Sequence, residues 1–151
     1  MQVTVRFELP RDAVTIPIIR KLCGRSLEVV GAADDVVDDV ELALTEACAN
    51  VLKHVQQGEV YEVFVGFDEH RAFLDVIDQG VGFDPAALAP SGADDESGRG
   101  VLLMRELMDS VHFDSASGSG TTVHLEKKLA WKPDAAIYQL SAVPPGPPSA
   151  D

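Results

Sequence analysis

Cysteine is scarce in this chain. Cys23 and Cys48 are its only two, they lack metal-ligand spacing, and both sit among apolar residues on predicted helices. They read as core thiols, which fits a reducing cytoplasm. Basic residues are also few, with 12 Lys and Arg against 25 Asp and Glu for a net charge of −13. That balance argues against non-specific attraction to DNA or to an anionic membrane, and it permits a basic protein partner. No apolar run approaches the ~18 residues of a membrane span, and Met1 leads into an alternating pattern rather than a basic and apolar leader. There is no internal repeat. No Gly-x-x-x-x-Gly-Lys-Ser/Thr stretch occurs, which excludes the ordinary P-loop, and the His-Arg-Asp set of the eukaryotic-type protein kinases is missing.

What is present describes one soluble domain. Apolar residues make up 46% and charged residues 25% of 151 positions, enough to bury roughly two-thirds of the unfolded surface around a single core. Val3, Val5 and Phe7 alternate with polar neighbours as far as Pro10, the pattern of a strand over residues 2–9. Thr15 is placed to cap a helix with Pro17 in its first turn, and Ile19, Cys23, Leu27 and Val30 follow at helical spacing until Gly31. Asp34 or Asp35 then caps a longer helix whose stripe is Val37, Val40, Leu44, Ala47, Val51 and Val55, ending before Gly58. Val60 to Phe67 and Arg71 to Ile77 form a hairpin around Asp68-Glu69-His70. Asp84 to Ser97 loses periodicity and reads as a loop; Val101, Leu102, Met104, Leu107 and Met108 mark a third helix opened by Gly98-Arg99-Gly100. Val111 to Asp114 and Thr121 to Leu129 make a last strand pair.

This order predicts a two-layer α/β sandwich, a mixed and mostly antiparallel five-stranded sheet with three helices on one face. The domain spans residues 1–129, and residues 130–151 are a C-terminal extension. That extension carries Trp131 and Tyr138 and is read as a loose tail, with docking on the sheet or reaching a partner as the alternatives. Its proline cluster predicts disorder from about residue 143.

Four polar signals fall in order along these elements: Glu46-x-x-x-Asn50, Asp78-x-Gly80-x-Gly82, Gly98-x-Gly100, and the small polar wall Gly118-x-Gly120-Thr121-Thr122. Glu46 and Asn50 lie one turn apart on one face of the long helix, so both side chains reach one ligand. An amide oxygen is a hard neutral donor suited to Mg²⁺, and the carboxylate beside it can position a water or take a proton from an attacking hydroxyl. His54, one turn further on, reads as a packing or hydrogen-bonding residue, because one histidine makes no zinc site. Asp78 stands where a strand ends, where a carboxylate accepts from the amino group of adenine and rejects the carbonyl of guanine. Gly80 and Gly82 after it clear side chains from a flat base. Gly98 and Gly100 precede a helix whose unsatisfied N–H groups and dipole favour phosphate. Each signal also has a bland reading, as a solvated helix face, turn glycines or a loop before a helix. Their joint inventory is that of a nucleotide site.

The ordered set Leu44-Thr45-Glu46-Ala47-Cys48-Ala49-Asn50, Asp78-Gln79-Gly80-Val81-Gly82-Phe83, Ser97-Gly98-Arg99-Gly100 and Gly120-Thr121-Thr122-Val123 resembles the Bergerat-fold (GHKL) ATP-binding superfamily of gyrases, histidine kinases and mismatch-repair proteins. It is most similar to the stand-alone bacterial anti-sigma factor serine/threonine kinases. The resemblance implies that Asn50 coordinates Mg²⁺ and that Glu46 is the base for phosphoryl transfer. It further implies that Asp78 binds the adenine amino group, Gly80 and Gly82 line the nucleotide, Gly98, Arg99 and Gly100 meet phosphates, and Thr122 lies near adenine. It also implies a cytoplasmic homodimer that binds ATP, sequesters a sigma factor in stress-linked transcription control and phosphorylates a serine of an anti-anti-sigma factor. One departure is Glu96 before Ser97-Gly98, where some relatives carry a basic residue. The alternatives are an ATP-gated regulatory binding module that transfers little or no phosphate, and a detached histidine-kinase catalytic domain.

Overall fold

A computed structural model of the chain describes residues 1–54, 60–78, 96–116 and 120–140. Its elements run β1 (Val3–Pro10), α1 (Thr15–Val30), α2 (Asp34–His54), β2 (Val60–Phe67), β3 (Arg71–Asp78), α3 (Glu96–Leu107), β4 (Ser110–Ala116), β5 (Gly120–Lys128) and α4 (Ile137–Leu140). The five strands form one sheet in the order β1-β2-β3-β5-β4. Every pairing is antiparallel, so the parallel component allowed by the sequence is absent among the described strands.

Period-two alternation decides which face meets the helices. Tyr61, Val63, Val65, Phe67, Ala72, Leu74, Val76, Val123 and Leu125 are buried on one face against Ile19, Cys23, Leu27, Val37, Val40, Leu44, Ala47, Cys48 and Val51 from α1 and α2. Removing a side chain such as Leu44 or Leu74 from water contributes ~1.5–3 kcal/mol each. The long-helix stripe is buried as predicted through Val51; Val55 lies outside the described residues. Cys23 and Cys48 are free, buried core thiols. Burial, and then the charge of Glu41, pushes the Cys23 thiol up to about 12, and burial raises Cys48 as well, so both stay protonated.

Two helix starts differ from the sequence reading. Val14 holds the cap position of α1, not Thr15, and the turn before it is closed by Asp12, whose carboxylate accepts from the Val14 N–H at 2.9 Å. Thr15 turns inward: its hydroxyl donates to the Asp12 carbonyl at 2.6 Å and shares a 2.5 Å hydrogen bond with the Tyr61 hydroxyl. A buried phenol needs such a partner, and that demand outweighs capping. At α3 the helix begins at Glu96, so Gly98 and Gly100 lie within its opening turns rather than ahead of it.

Residues 130–140 pack against the domain. The Ala33 N–H donates to the Ala130 carbonyl at 2.8 Å, the Lys132 N–H donates to the Gly31 carbonyl at 2.8 Å, and the Trp131 indole donates to the Glu69 carbonyl at 2.7 Å. Ala135 and Ile137 are buried. Gly31, at φ +100°, ends α1 in the left-handed conformation, and Ala135 occupies the space where a Cβ would stand. The proline cluster predicted to be disordered lies outside the described residues.

Candidate functional site

The end of β1, the start of β2, the end of β3 and the start of β5 converge at one end of the sheet because all their pairings are antiparallel. Asp78 closes β3 with its side chain on the helix-covered face, in step with Leu74 and Val76, and it is 1% exposed. A carboxylate this deep needs cationic or hydrogen-bonding company. Arg11, the residue after β1, supplies it by an ion pair with Asp78 Oδ2. Burial lowers the pKa of the Arg11 guanidinium.

Facing Asp78 across the β3–β5 ladder is Thr121, buried with Val123 and Leu125. Thr122 pairs with Ile77 and points to the helix-free face. The side chain that shares the face of Asp78 is that of Thr121 and not that of Thr122, the residue expected near adenine, since neighbours on a strand face opposite ways. The strand period of Val123 and Leu125 carried that signal. No comparable signal marks Arg11, whose pairing with Asp78 is purely tertiary.

On α2, Asn50 is 4% exposed, and neither its Nδ2 nor its Oδ1 has a hydrogen-bond partner among the described residues. A buried amide left this way costs ~1–3 kcal/mol, a cost that folding tolerates where a ligand completes the group. One turn earlier, Glu46 is half-buried and lies against α3: a Cβ at Gly100 would stand 2.8 Å from Glu46 Oε2. Gly100 thus lets the carboxylate occupy the helix–helix seam. A Cβ at Gly98 would meet no atom within 4 Å among the described residues, and Arg99 is exposed on the same turn. The first turn of α3 presents backbone N–H groups without intrahelical acceptors, suited to an anion. The structure therefore brings Glu46 to Gly100 and Asp78 to Thr121, whereas Gly80 and Gly82 lie outside the described residues.

Among the described residues no three His, Cys, Asp or Glu side chains converge as a metal cage. Nor is any described helix long and apolar enough to cross a membrane. The donor set at Asn50 and Glu46, one neutral amide oxygen and one carboxylate, fits a cation that takes few protein ligands and keeps water or phosphate oxygens.

Comparison with known proteins agrees with this geometry. The family model described as the histidine kinase-like ATPase domain matches residues 9–127. The serine-protein kinase RsbW of Bacillus cereus (strain AH820) is 30% identical over 137 residues, a match covering 83% of this chain and 84% of that protein. The namesake from Bacillus thuringiensis (strain Al Hakam) is 29% identical over the same length and coverage. Among solved structures, the RsbU and RsbW domains of Rv1364c from Mycobacterium tuberculosis superpose with a TM-score of 0.66 at 17% identity, over 84% of this chain and 32% of that longer one. The SiaB–SiaC complex from Pseudomonas aeruginosa gives 0.54 at 16% identity, over 82% of this chain and 88% of that one. These two likenesses carry the fold. The chain belongs to the histidine kinase-like ATPase family and, within it, to the RsbW-type serine-protein kinases.

Proposed function

We propose that this protein is an anti-sigma factor that binds Mg²⁺-ATP, holds a sigma factor, and transfers the γ-phosphoryl group to a serine of an anti-anti-sigma protein. The observation that carries the reading is the buried Asn50 amide with both polar atoms unpartnered among the described residues, one helical turn from Glu46. Asp78 takes the amino group of adenine, Thr121 borders the base on the same face, and the opening turns of α3, with Gly98, Arg99 and Gly100, receive phosphate oxygens. Gly80 and Gly82 would clear the base plane. Asn50 Oδ1 is the residue atom suited to Mg²⁺, which when bound offsets the charge on the phosphates.

Glu46 accepts the proton of the incoming serine hydroxyl as its oxygen bonds to the γ-phosphorus and the bond from phosphorus to the β–γ bridging oxygen breaks. The net charge of −13 suits a basic patch on a protein partner rather than nucleic acid. Val14, Ile18 and Leu22, exposed at four-residue intervals at the start of α1 and along it, offer apolar surface for a sigma factor or a second copy in a homodimer. Incubation with ATP and the anti-anti-sigma proteins of its own genome tests the reading. Acid-stable phosphate on a serine supports it; phosphate on a histidine, or on none of the set, contradicts it.

A further inference from the structure

Asp78 is not an open acceptor. Its side chain is 0% exposed and that of Arg11 is 9% exposed, with the guanidinium laid on the carboxylate. An amino group of a base reaches a fully covered carboxylate only when what covers it moves. A guanidinium and an exocyclic amino group are both donors that seek the same oxygens, so the two compete. The turn that carries Arg11 is held by backbone bonds of its neighbours. Arg11 follows the last residue of β1, in a short turn held by the Asp12 N–H on the Pro10 carbonyl at 2.8 Å and the Thr15 N–H on the Asp12 carbonyl at 2.9 Å. Those bonds fix the turn through Asp12, and neither engages the Arg11 side chain, so its movement need not break them or unfold α1. Its burial opposes its charge, so leaving the pocket returns it to favourable hydration.

We propose that Arg11 is a latch: paired with Asp78 it closes the base pocket, and adenine displaces it to take its place. The inference rests on the reading of Asp78 as the base carboxylate. ATP affinity is then set by competition with a side chain of the protein itself, and its apparent value is reduced by the fraction of molecules that are latched. Displacement also sets a cation free beside Val14, where α1 begins, so nucleotide occupancy changes the charge at the start of the exposed line Val14, Ile18 and Leu22.

Calorimetric titration of ATP into wild type, Arg11→Gln and Asp78→Asn tests the latch, with the guanidinium of Arg11 followed by NMR in wild type. The expected result is at least about fivefold tighter ATP binding by Arg11→Gln, no measurable binding by Asp78→Asn, and an Arg11 guanidinium that loses its hydrogen-exchange protection when ATP is added. Asp78→Asn binding ATP like wild type overturns the base-site reading and the latch with it. Asp78→Asn losing ATP while Arg11→Gln binds no tighter than wild type overturns the latch alone. GTP binding that matches ATP and disappears in Arg11→Gln also overturns it, because Arg11 then stays and reads the base. The NMR measurement needs no variant, so a guanidinium still protected in the ATP complex overturns the latch even where Arg11→Gln fails to fold.

Discussion

Glu46 on α2 reaches across the helix seam to Gly100 on α3, where a methyl group would stand 2.8 Å from its Oε2 atom. The seam ties the proposed base to the helix whose opening turns are proposed to meet phosphate. A shift of either helix therefore moves both.

Gly100→Ala tests that coupling because stability and activity should part. Alanine is the better helix former by ~1 kcal/mol, which offsets local crowding against the flexible end of the Glu46 side chain. Displacing Glu46 by about an ångström should lower phosphotransfer by roughly 10–100-fold. Thermal melting and single-turnover transfer measured on the same preparation check this, and unchanged transfer would remove Gly100 from the account.

Asn50→Leu should leave the fold as stable as wild type or raise stability by up to ~1–2 kcal/mol, because it replaces a buried amide that has no partner among the described residues with an apolar group of similar size. The same change should abolish the Mg²⁺-dependent part of ATP affinity. Urea unfolding, with ATP titrations in Mg²⁺ and in EDTA, measures both. A strong loss of stability would mean that the amide is satisfied within the fold and has no need of a ligand.

Gly31→Ala probes the scaffold rather than the site. A Cβ at φ +100° is strained by ~1–2 kcal/mol, and it would also meet Ala135. Unfolding free energy should fall by about 2 kcal/mol or more, with ATP affinity unchanged. Equal stability would contradict the docking of residues 130–140 on the end of α1.

His124 supplies a pH signature on the helix-free face. Burial lowers its pKa, but hydrogen bonds to Asp75 and Glu126 outweigh that and leave it above the ordinary value of 6.5. A histidine raised on folding stabilises fully below its unfolded pKa, and the contribution is lost as pH rises through the folded pKa. Wild type should therefore lose more stability than His124→Gln between about pH 6 and 8. The difference should be small, because the ring is half-buried and solvent screens it. Parallel pH dependences would contradict the assignment.

The fold was legible where one local pattern dominates. Helical spacing from Val37 to Val51 and alternation through Val63 to Val76 suffice to place α2 and the hairpin. Features set by tertiary demand were not. Thr15 has the chemistry of a cap, but Tyr61 claims its hydroxyl. Helix α3 starts two residues before Gly98, because the polar residue Glu96 carries no apolar signal to mark a first turn. In the candidate site, side-chain type and spacing marked Glu46, Asn50 and Asp78. The resemblance points to Thr122, whereas the alternation of β5 puts Thr121 on the face of Asp78, and Arg11 is invisible in the sequence because its partner lies far along the chain.

Paired measurements on Glu46→Gln decide whether Glu46 is the catalytic base. With purified protein, ATP and the cognate anti-anti-sigma protein, wild type should phosphorylate a serine; Glu46→Gln should bind ATP within about twofold of wild type yet transfer phosphate at least roughly 100-fold more slowly. Transfer by the variant at the wild-type rate would contradict the role of Glu46. Tight ATP binding by wild type with no phosphate on any partner would leave an ATP-gated binding module in place of a kinase.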